Sequence, residues 1–301
     1  MLRYRNVIRK SFVLSFILVA CQTSTQQEIP NTPTTGKISI WADKTFQYIL
    51  PPQIDLFSSI YKNTEVGYRF AGEQECIEAL LKDSCKVIFI NRMLSTQEQK
   101  TFEAHNLIIQ QTAVARSAIA ILSTSLYKQG MSIDELVQIL KGEKNYPIVF
   151  FGKNNGTVLY CKDTLLKGAD FGKNCFSIED SAEFRKQILE HKEVIGIIDF
   201  AFICDDDDKW IRSLKYPQGD TLLIPIRKNS QSPAYYPDQS NIATTDYPLT
   251  RTIYCIRRGD DFSLSAGIEA FVAGEKGQVL FKKMGLVPTI DRPRQIEMKP
   301  Y

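Results

Sequence analysis

Residues 87–98 read Val87-Ile88-Phe89-Ile90-Asn91-Arg92-Met93-Leu94-Ser95-Thr96-Gln97-Glu98, and this stretch decides the fold class. Its first four residues are an uninterrupted apolar run, as expected of a strand inside a parallel sheet covered on both faces. Ser95 and Glu98 then stand at capping-box spacing, which opens a helix. Asn91 and Arg92 fall between the two, so a carboxamide and a guanidinium sit at the strand's carboxyl end.

The same order recurs on both sides. Lys37–Trp41 reads as a strand, with a helical stretch from Thr45 toward Tyr61. Glu65–Phe70 is a second strand, and Glu73–Leu81 then places Ile77, Leu80 and Leu81 on one helical face. Apolar segments follow at Leu107–Ile109 and Ala118–Leu122. A second capping box, Ser132 to Glu135, starts a helix that stops at Gly142. Pro147–Phe150 and Val194–Ile198 read as strands, and Asp180–Leu189 as a capped helix with Phe184 and Ile188 inward. Repeated β-then-α order predicts an α/β fold with largely parallel sheets.

The amino terminus carries an address. Arg3, Arg5, Arg9 and Lys10 precede the apolar run Phe12–Ala20, which is shorter than the ~20 residues a membrane-spanning helix needs. Basic flank, apolar core and a small residue before the cut are the layout of a secretory signal. Leu18-Val19-Ala20-Cys21 resembles a bacterial lipobox, which implies cleavage before Cys21 and acylation of its thiol, with palmitate-type chains. Residues 1–20 are then a lipoprotein signal peptide. Residues 21–36, rich in Thr, Gln and Pro, are a flexible tether. Four of the 37 basic residues and none of the 34 acidic ones lie in residues 1–20, so the remainder carries a net charge of −1. No global positive field draws nucleic acid or anionic lipid. The expected location is the cell envelope, lipid-anchored and facing the periplasm or exterior, which sets aside cytosolic metabolism and nucleic-acid partners.

Six cysteines remain after lipidation: Cys76, Cys85, Cys161, Cys175, Cys204 and Cys255. Outside the cytoplasm they are free to pair, in any of fifteen ways, with Cys76–Cys85 and Cys161–Cys175 closest in sequence. Buried free thiols that behave as small apolar residues are the alternative. No CxxC spacing occurs, so zinc and thioredoxin-like chemistry have no support.

Catalytic signals are scarce. The two histidines, His105 and His191, lie near helix ends among charged neighbours, as surface histidines do. There is no GxSxG, HExxH or P-loop. Asp205–Asp208 is a run of four acids without the alternating ligands and glycine turn of a calcium loop, so it reads as a solvated loop. No catalytic residue, cofactor or metal ligand is nominated, and the reading is a binding protein, not an enzyme. Open α/β sheets bind ligands beyond the carboxyl ends of their strands, where helix N-termini offer free N–H groups. Thr45-Phe46, Asn91-Arg92 and Asn154-Asn155-Gly156-Thr157 all occupy such junctions.

These residues carry a family resemblance. The chain resembles the phosphate-binding-protein (PstS-like) branch of the periplasmic solute-binding proteins of ABC transporters, in a divergent lipoprotein form. The matching blocks are Ile38–Thr45 with Tyr68–Glu73, Ile90–Glu98, Ala115–Leu122 with Ser132–Gly142, and Asn155-Gly156-Thr157 where the family has Ser-Gly-Thr. Val194–Ile197, Tyr247-Pro248-Leu249-Thr250-Arg251 and Gly274–Pro288 complete the set in the family's order. The resemblance implies a two-lobed periplasmic-binding-protein-like (type II) fold, each lobe a mostly parallel sheet flanked by helices. Lobe 1 would be residues 37–113 plus 254–301, and lobe 2 residues 114–253. A monomer closing by hinge motion on a small phosphate-like anion, then docking on an ABC permease, is the expected work.

Carried over position by position, Thr45, Phe46, Gly72, Glu73, Asn91, Arg92, Asn155, Gly156 and Thr157 would line the cleft. Several positions depart from the family. The arginine four residues before the Ser-Gly-Thr serine is Phe151, and that serine is Asn155. A small hydroxyl-bearing loop becomes Gly72-Glu73-Gln74-Glu75, and the cleft aspartate becomes Asn91. A carboxylate facing inward would repel phosphate. The alternative is a sensory or structural envelope lipoprotein that keeps the fold without phosphate binding or transport.

Overall fold

The computed structural model describes residues 30–216 and 221–290. The signal sequence, the lipidation reading at Cys21 and the first part of the tether lie outside the described residues. In chain order the main elements are β1 (Gly36–Asp43), α1 (Leu50–Ile60), β2 (Thr64–Ala71), α2 (Glu73–Leu81), β3 (Val87–Ile90), α3 (Thr96–Ala104) and β4 (Ile109–Leu122). There follow β5 (Met131–Ser132), α4 (Ile133–Leu140), β6 (Ile148–Phe151), α5 (Gly156–Tyr160), β7 (Cys175–Ile178), α6 (Ser181–Glu190) and β8 (Ile195–Asp199). The remainder are α7 (Lys209–Lys215), β9 (Ile226–Arg227), α8 (Gln239–Ala243), β10 (Thr250–Arg258), α9 (Leu264–Ala273), α10 (Glu275–Lys283) and β11 (Val287–Pro288).

The apolar run of residues 87–90 is a central strand, buried along its whole length between β1 and β10. Eight strands follow the order β2-β1-β3-β10-β4-β8-β6-β7, with β11 added beside β4. Pairing is parallel for β1 with β2 and β3, and for β6 with β7 and β8. It is antiparallel for β10 with β3 and β4, and for β4 with β8. The fold is thus mixed α/β and two-lobed, with β4 shared between its halves. Residues 109–118 of β4 pair with β10, and residues 119–122 pair with β8. One apolar cluster runs through both halves, from Ile40 and Phe46 to Phe151, Ile197 and Phe202, while Cys76, Leu80, Ile88 and Phe102 form a second under α2 and α3.

Both capping boxes form, with the serine hydroxyl and the glutamate carboxylate each taking the other's backbone N–H. Gly142 follows α4 in the left-handed region, at φ +79°. Two sequence readings need revision. The helical stretch from Thr45 is a short 3₁₀ turn over Lys44–Phe46, and α1 starts only at Leu50. Pro51 and Pro52 lack N–H groups, so they fit the first turn of a helix but not its interior. The apolar stretch read near 107–109 and 118–122 is one continuous 14-residue strand only from Ile109 to Leu122, and Leu107 and Ile108 precede it.

All six described cysteines are free. Burial pushes the thiols up, to about 12 for Cys85 and Cys161 and about 11 for Cys175, which favours the thiol over the thiolate. Among the described residues no helix is long and apolar enough to cross a membrane.

Candidate functional site: a carboxylate-filled interlobe cleft

The strand ends build this site. Asp43 closes β1 and accepts the N–H of Thr45 at 2.9 Å, which folds the chain into the 3₁₀ turn. Gly72 and Glu73 lie where β2 gives way to α2, and Asn91 directly follows β3. After β6, Asn155 caps α5: its Oδ1 accepts from the N–H groups of Thr157 and Val158, both at 3.1 Å. Asp199 ends β8 and accepts the N–H of Ala201 at 2.8 Å. Ser117 and Arg251 come from the paired strands β4 and β10.

Two buried carboxylates organise these groups. Asp43 bridges the halves, because its Oδ2 accepts the N–H of Gly156 at 2.9 Å. It is fully shielded from solvent. Burial, reinforced by the neighbouring Glu73 charge, raises its pKa from 3.8 to about 7, against the pull of Thr45 and Gly156. Asp199 accepts from Ser117 Oγ at 2.9 Å and is ion-paired with Arg251. Asn91 Nδ2 donates to Thr45 Oγ1 at 3.1 Å and lies 3.4 Å from Asp199 Oδ2. Arg251 also donates to the Gly156 carbonyl at 2.8 Å and to Thr157 Oγ1 at 3.1 Å, with the Tyr160 ring 5.7 Å away.

Closure is tight. A Cβ on Gly72 would lie 2.7 Å from the Asn154 carbonyl oxygen, and one on Gly156 would lie 2.8 Å from Glu73 Oε2. Glu73 accepts from Arg92 Nε at 2.6 Å, and Glu98 takes the other end of that guanidinium at 2.7 and 2.9 Å. Burial raises the pKa of Glu73 despite the Arg92 charge. At the rim, Lys44 pairs with Glu179 at 3.1 Å. A cavity of about 230 Å³ opens beside the carboxylates, lined by Glu73, Arg92, Gly156, Tyr160, Asp163 and Arg251, among others.

Of the residues nominated from sequence, Thr45, Gly72, Glu73, Asn91, Gly156 and Thr157 converge on this cleft. Phe46 is buried in the shared apolar core. Asn155 spends its carboxamide on its own loop, with Nδ2 donating to the Phe151 carbonyl at 2.9 Å. Arg92 is held by its two glutamates. Sequence reasoning reaches Asp43, Ser117 and Arg251 only as members of family blocks, not as site residues, and passes over Asp199. The strand-end rule that selected Asn91 would also have selected Asp43 and Asp199. The acidic run at 205–208 is a turn in which Asp206 pairs with the buried Lys215 at 2.6 Å. Among the described residues no group of three or more His, Cys, Asp or Glu is placed to hold a metal.

A family model described as the PBP superfamily domain matches residues 29–273. The chain belongs to the PBP superfamily. Solved structures with the same fold include a putative phosphate ABC transporter substrate-binding protein from Clostridium perfringens with bound phosphate. It shares 12% identity over 85% of this chain and 100% of its own, at a TM-score of 0.66. An ABC-type phosphate transport receptor from Vibrio cholerae shares 15% over 84% and 100%, also at 0.66. PstS from Borrelia burgdorferi shares 19% over 84% and 98%, at 0.56. At these identities the likeness establishes the periplasmic-binding-protein-like fold. No curated protein sequence matches the chain. This PBP-superfamily chain therefore combines the family architecture with a cleft whose donors are held by its own carboxylates.

Proposed function

We propose that the chain is an extracytoplasmic lipoprotein, tethered through Cys21, that captures a small oxyanion of the phosphate class between its lobes for an ABC-type transporter. The observation that supports this most is the convergence on Asp43. Backbone N–H groups of Thr45 and Gly156, one from each half, meet on a single carboxylate. Donors so arranged suit an oxyanion, and a carboxylate is one. Asp43 holds the seat in the closed form, but burial places its pKa at about 7, which makes the ionised carboxylate a weak competitor. A solute oxyanion displaces it as the lobes part and close again. Once protonated, Asp43 turns from acceptor to donor and can hydrogen-bond the incoming oxygen. The work is binding, with the lobes taken as residues 37–113 with 254–301 and residues 114–253.

A second reading is favoured by the same carboxylate. If Asp43 is never displaced, the protein keeps the fold as a permanently closed envelope module that binds other proteins. Calorimetric titration of the full chain in detergent with phosphate and sulfate separates the two. Heat of binding from the wild type, tightened in Asp43→Ala, supports capture. Silence from both proteins rejects it and leaves the closed module.

A further inference from the structure

The sheet ends on β2, and among the described residues only β1 pairs with that strand. Eight residues of backbone thus offer an open edge to a further strand. Charges of a single sign would guard such an edge by repelling a second copy. β2 carries one charge of each sign instead.

Glu65 and Arg69 stand symmetrically about Gly67 on one face of β2, while Thr64, Val66, Tyr68 and Phe70 share the other. An antiparallel copy related by a twofold axis through Gly67 sets Glu65 opposite the partner's Arg69, and Arg69 opposite the partner's Glu65. The same axis sets Val66 opposite the partner's Tyr68 and Thr64 opposite the partner's Phe70. Opposite charges and aromatic–β-branched pairs are the favoured neighbours across two strands. Other registers lose this match. An axis through Glu65 or Arg69 opposes like charges, and one through Val66 or Tyr68 leaves both charges without a partner in β2.

The side chains are free to meet a second copy. Lys37 reaches Glu65 at 2.6 Å, with both side chains more than half exposed, so one carboxylate oxygen is left over. Arg69 lies over the Trp41 ring at 4.5 Å and has no carboxylate partner among the described residues. A guanidinium held on an aromatic face keeps its N–H fork for a carboxylate. Tyr68 is 43% exposed, its ring 5.7 Å from that of Phe70. Gly67 brings no side chain to the axis, and a Cβ there would meet only the Ile38 carbonyl oxygen, at 3.9 Å.

We propose that β2 pairs antiparallel with β2 of a second copy of this chain, about a twofold axis at Gly67, so that two sheets join into one. The inference stands apart from the cleft and its solute. It replaces the monomer that the family resemblance implies.

Sedimentation equilibrium of the full chain in density-matched detergent, over a concentration series, tests it. The wild type is expected to show a monomer–dimer equilibrium. Glu65→Arg and Arg69→Glu each set like charges opposite one another twice, and each should weaken dimerisation at least roughly tenfold. The chain carrying both changes should recover the dimer, which neither misfolding nor a general charge effect would produce. Both residues are exposed, so the variants are expected to fold. A monomer at every concentration, the outcome if residues 291–301 of the same chain cover the edge instead, overturns the inference. So does a dimer indifferent to both single changes, or one that the paired change does not restore.

Discussion

The Gly156 N–H donates to Asp43 Oδ2 across the cleft at 2.9 Å, so a carboxylate from the end of β1 caps the amino terminus of α5 in the other half. Asp43 is therefore at once the link between the halves and a buried acid whose pKa burial raises. The consequences can be measured.

Stability should fall as pH rises through the range set by Asp43. Its folded pKa is raised from 3.8 to about 7, so the fold binds a proton that the unfolded chain has already lost across that interval. The stabilisation is fully present below pH 3.8, is lost as pH rises toward 7, and changes no further above it. Across that interval the loss amounts to about 4 kcal/mol. Asp43→Asn should flatten thermal stability between pH 4 and pH 8, although Glu73, also raised by burial, leaves a residual slope. An unchanged slope would remove Asp43 from the account.

Arg251→Met should be among the most destabilising single changes in the chain. It leaves Asp199 buried and charged without its cation, which typically costs about 3–5 kcal/mol. Urea unfolding reads the loss directly. Arg251→Lys should recover only part of it, because one ammonium cannot reach Asp199, the Gly156 carbonyl and Thr157 with the guanidinium's fork geometry.

Gly72→Ala should fold but fail to close. Its φ of −68° suits any residue, yet the new Cβ would meet the Asn154 carbonyl oxygen at 2.7 Å, a backbone atom on the opposing loop. The expected signature is a larger radius of gyration in small-angle scattering, with solute affinity weakened by roughly tenfold or more. A variant as compact as the wild type would show that the Asn154 loop yields.

Arg92→Ala should weaken oxyanion capture roughly tenfold, and through Glu73. Removing the guanidinium frees a buried carboxylate beside the seat. Adding Glu73→Gln in the same chain should restore most of the loss, a coupling that a double-mutant cycle measures. Additive effects would mean that Arg92 acts on the solute by itself.

The fold was open to reading because its signals are local. Val87–Ile90, the two serine–glutamate capping boxes and Asp180 before α6 each announce an element without help from the rest of the chain. Half the cleft followed from the same logic, since Thr45, Asn91 and Gly156 sit where strands end. The other half depends on tertiary burial. Nothing in the neighbours of Asp43 reveals that it will be sealed under α5, or that Arg251 in β10 will meet Asp199 from β8. The long apolar stretch near 107–109 and 118–122 does not announce itself as the single strand β4, because Gln110, Gln111, Thr112 and Arg116 interrupt its apolar run.

That long strand has a mechanical meaning. Ala118 pairs with Thr250 in β10 and Ile119 with Asp199 in β8, so the strand changes partner within a single peptide step, one residue after the serine that holds Asp199. Asp199 and Arg251 therefore sit where β4 passes from β10 to β8. A rotation wide enough to unlatch Lys44 from Glu179 at the rim would scarcely displace them, and the pair would go on gripping while the jaws swing.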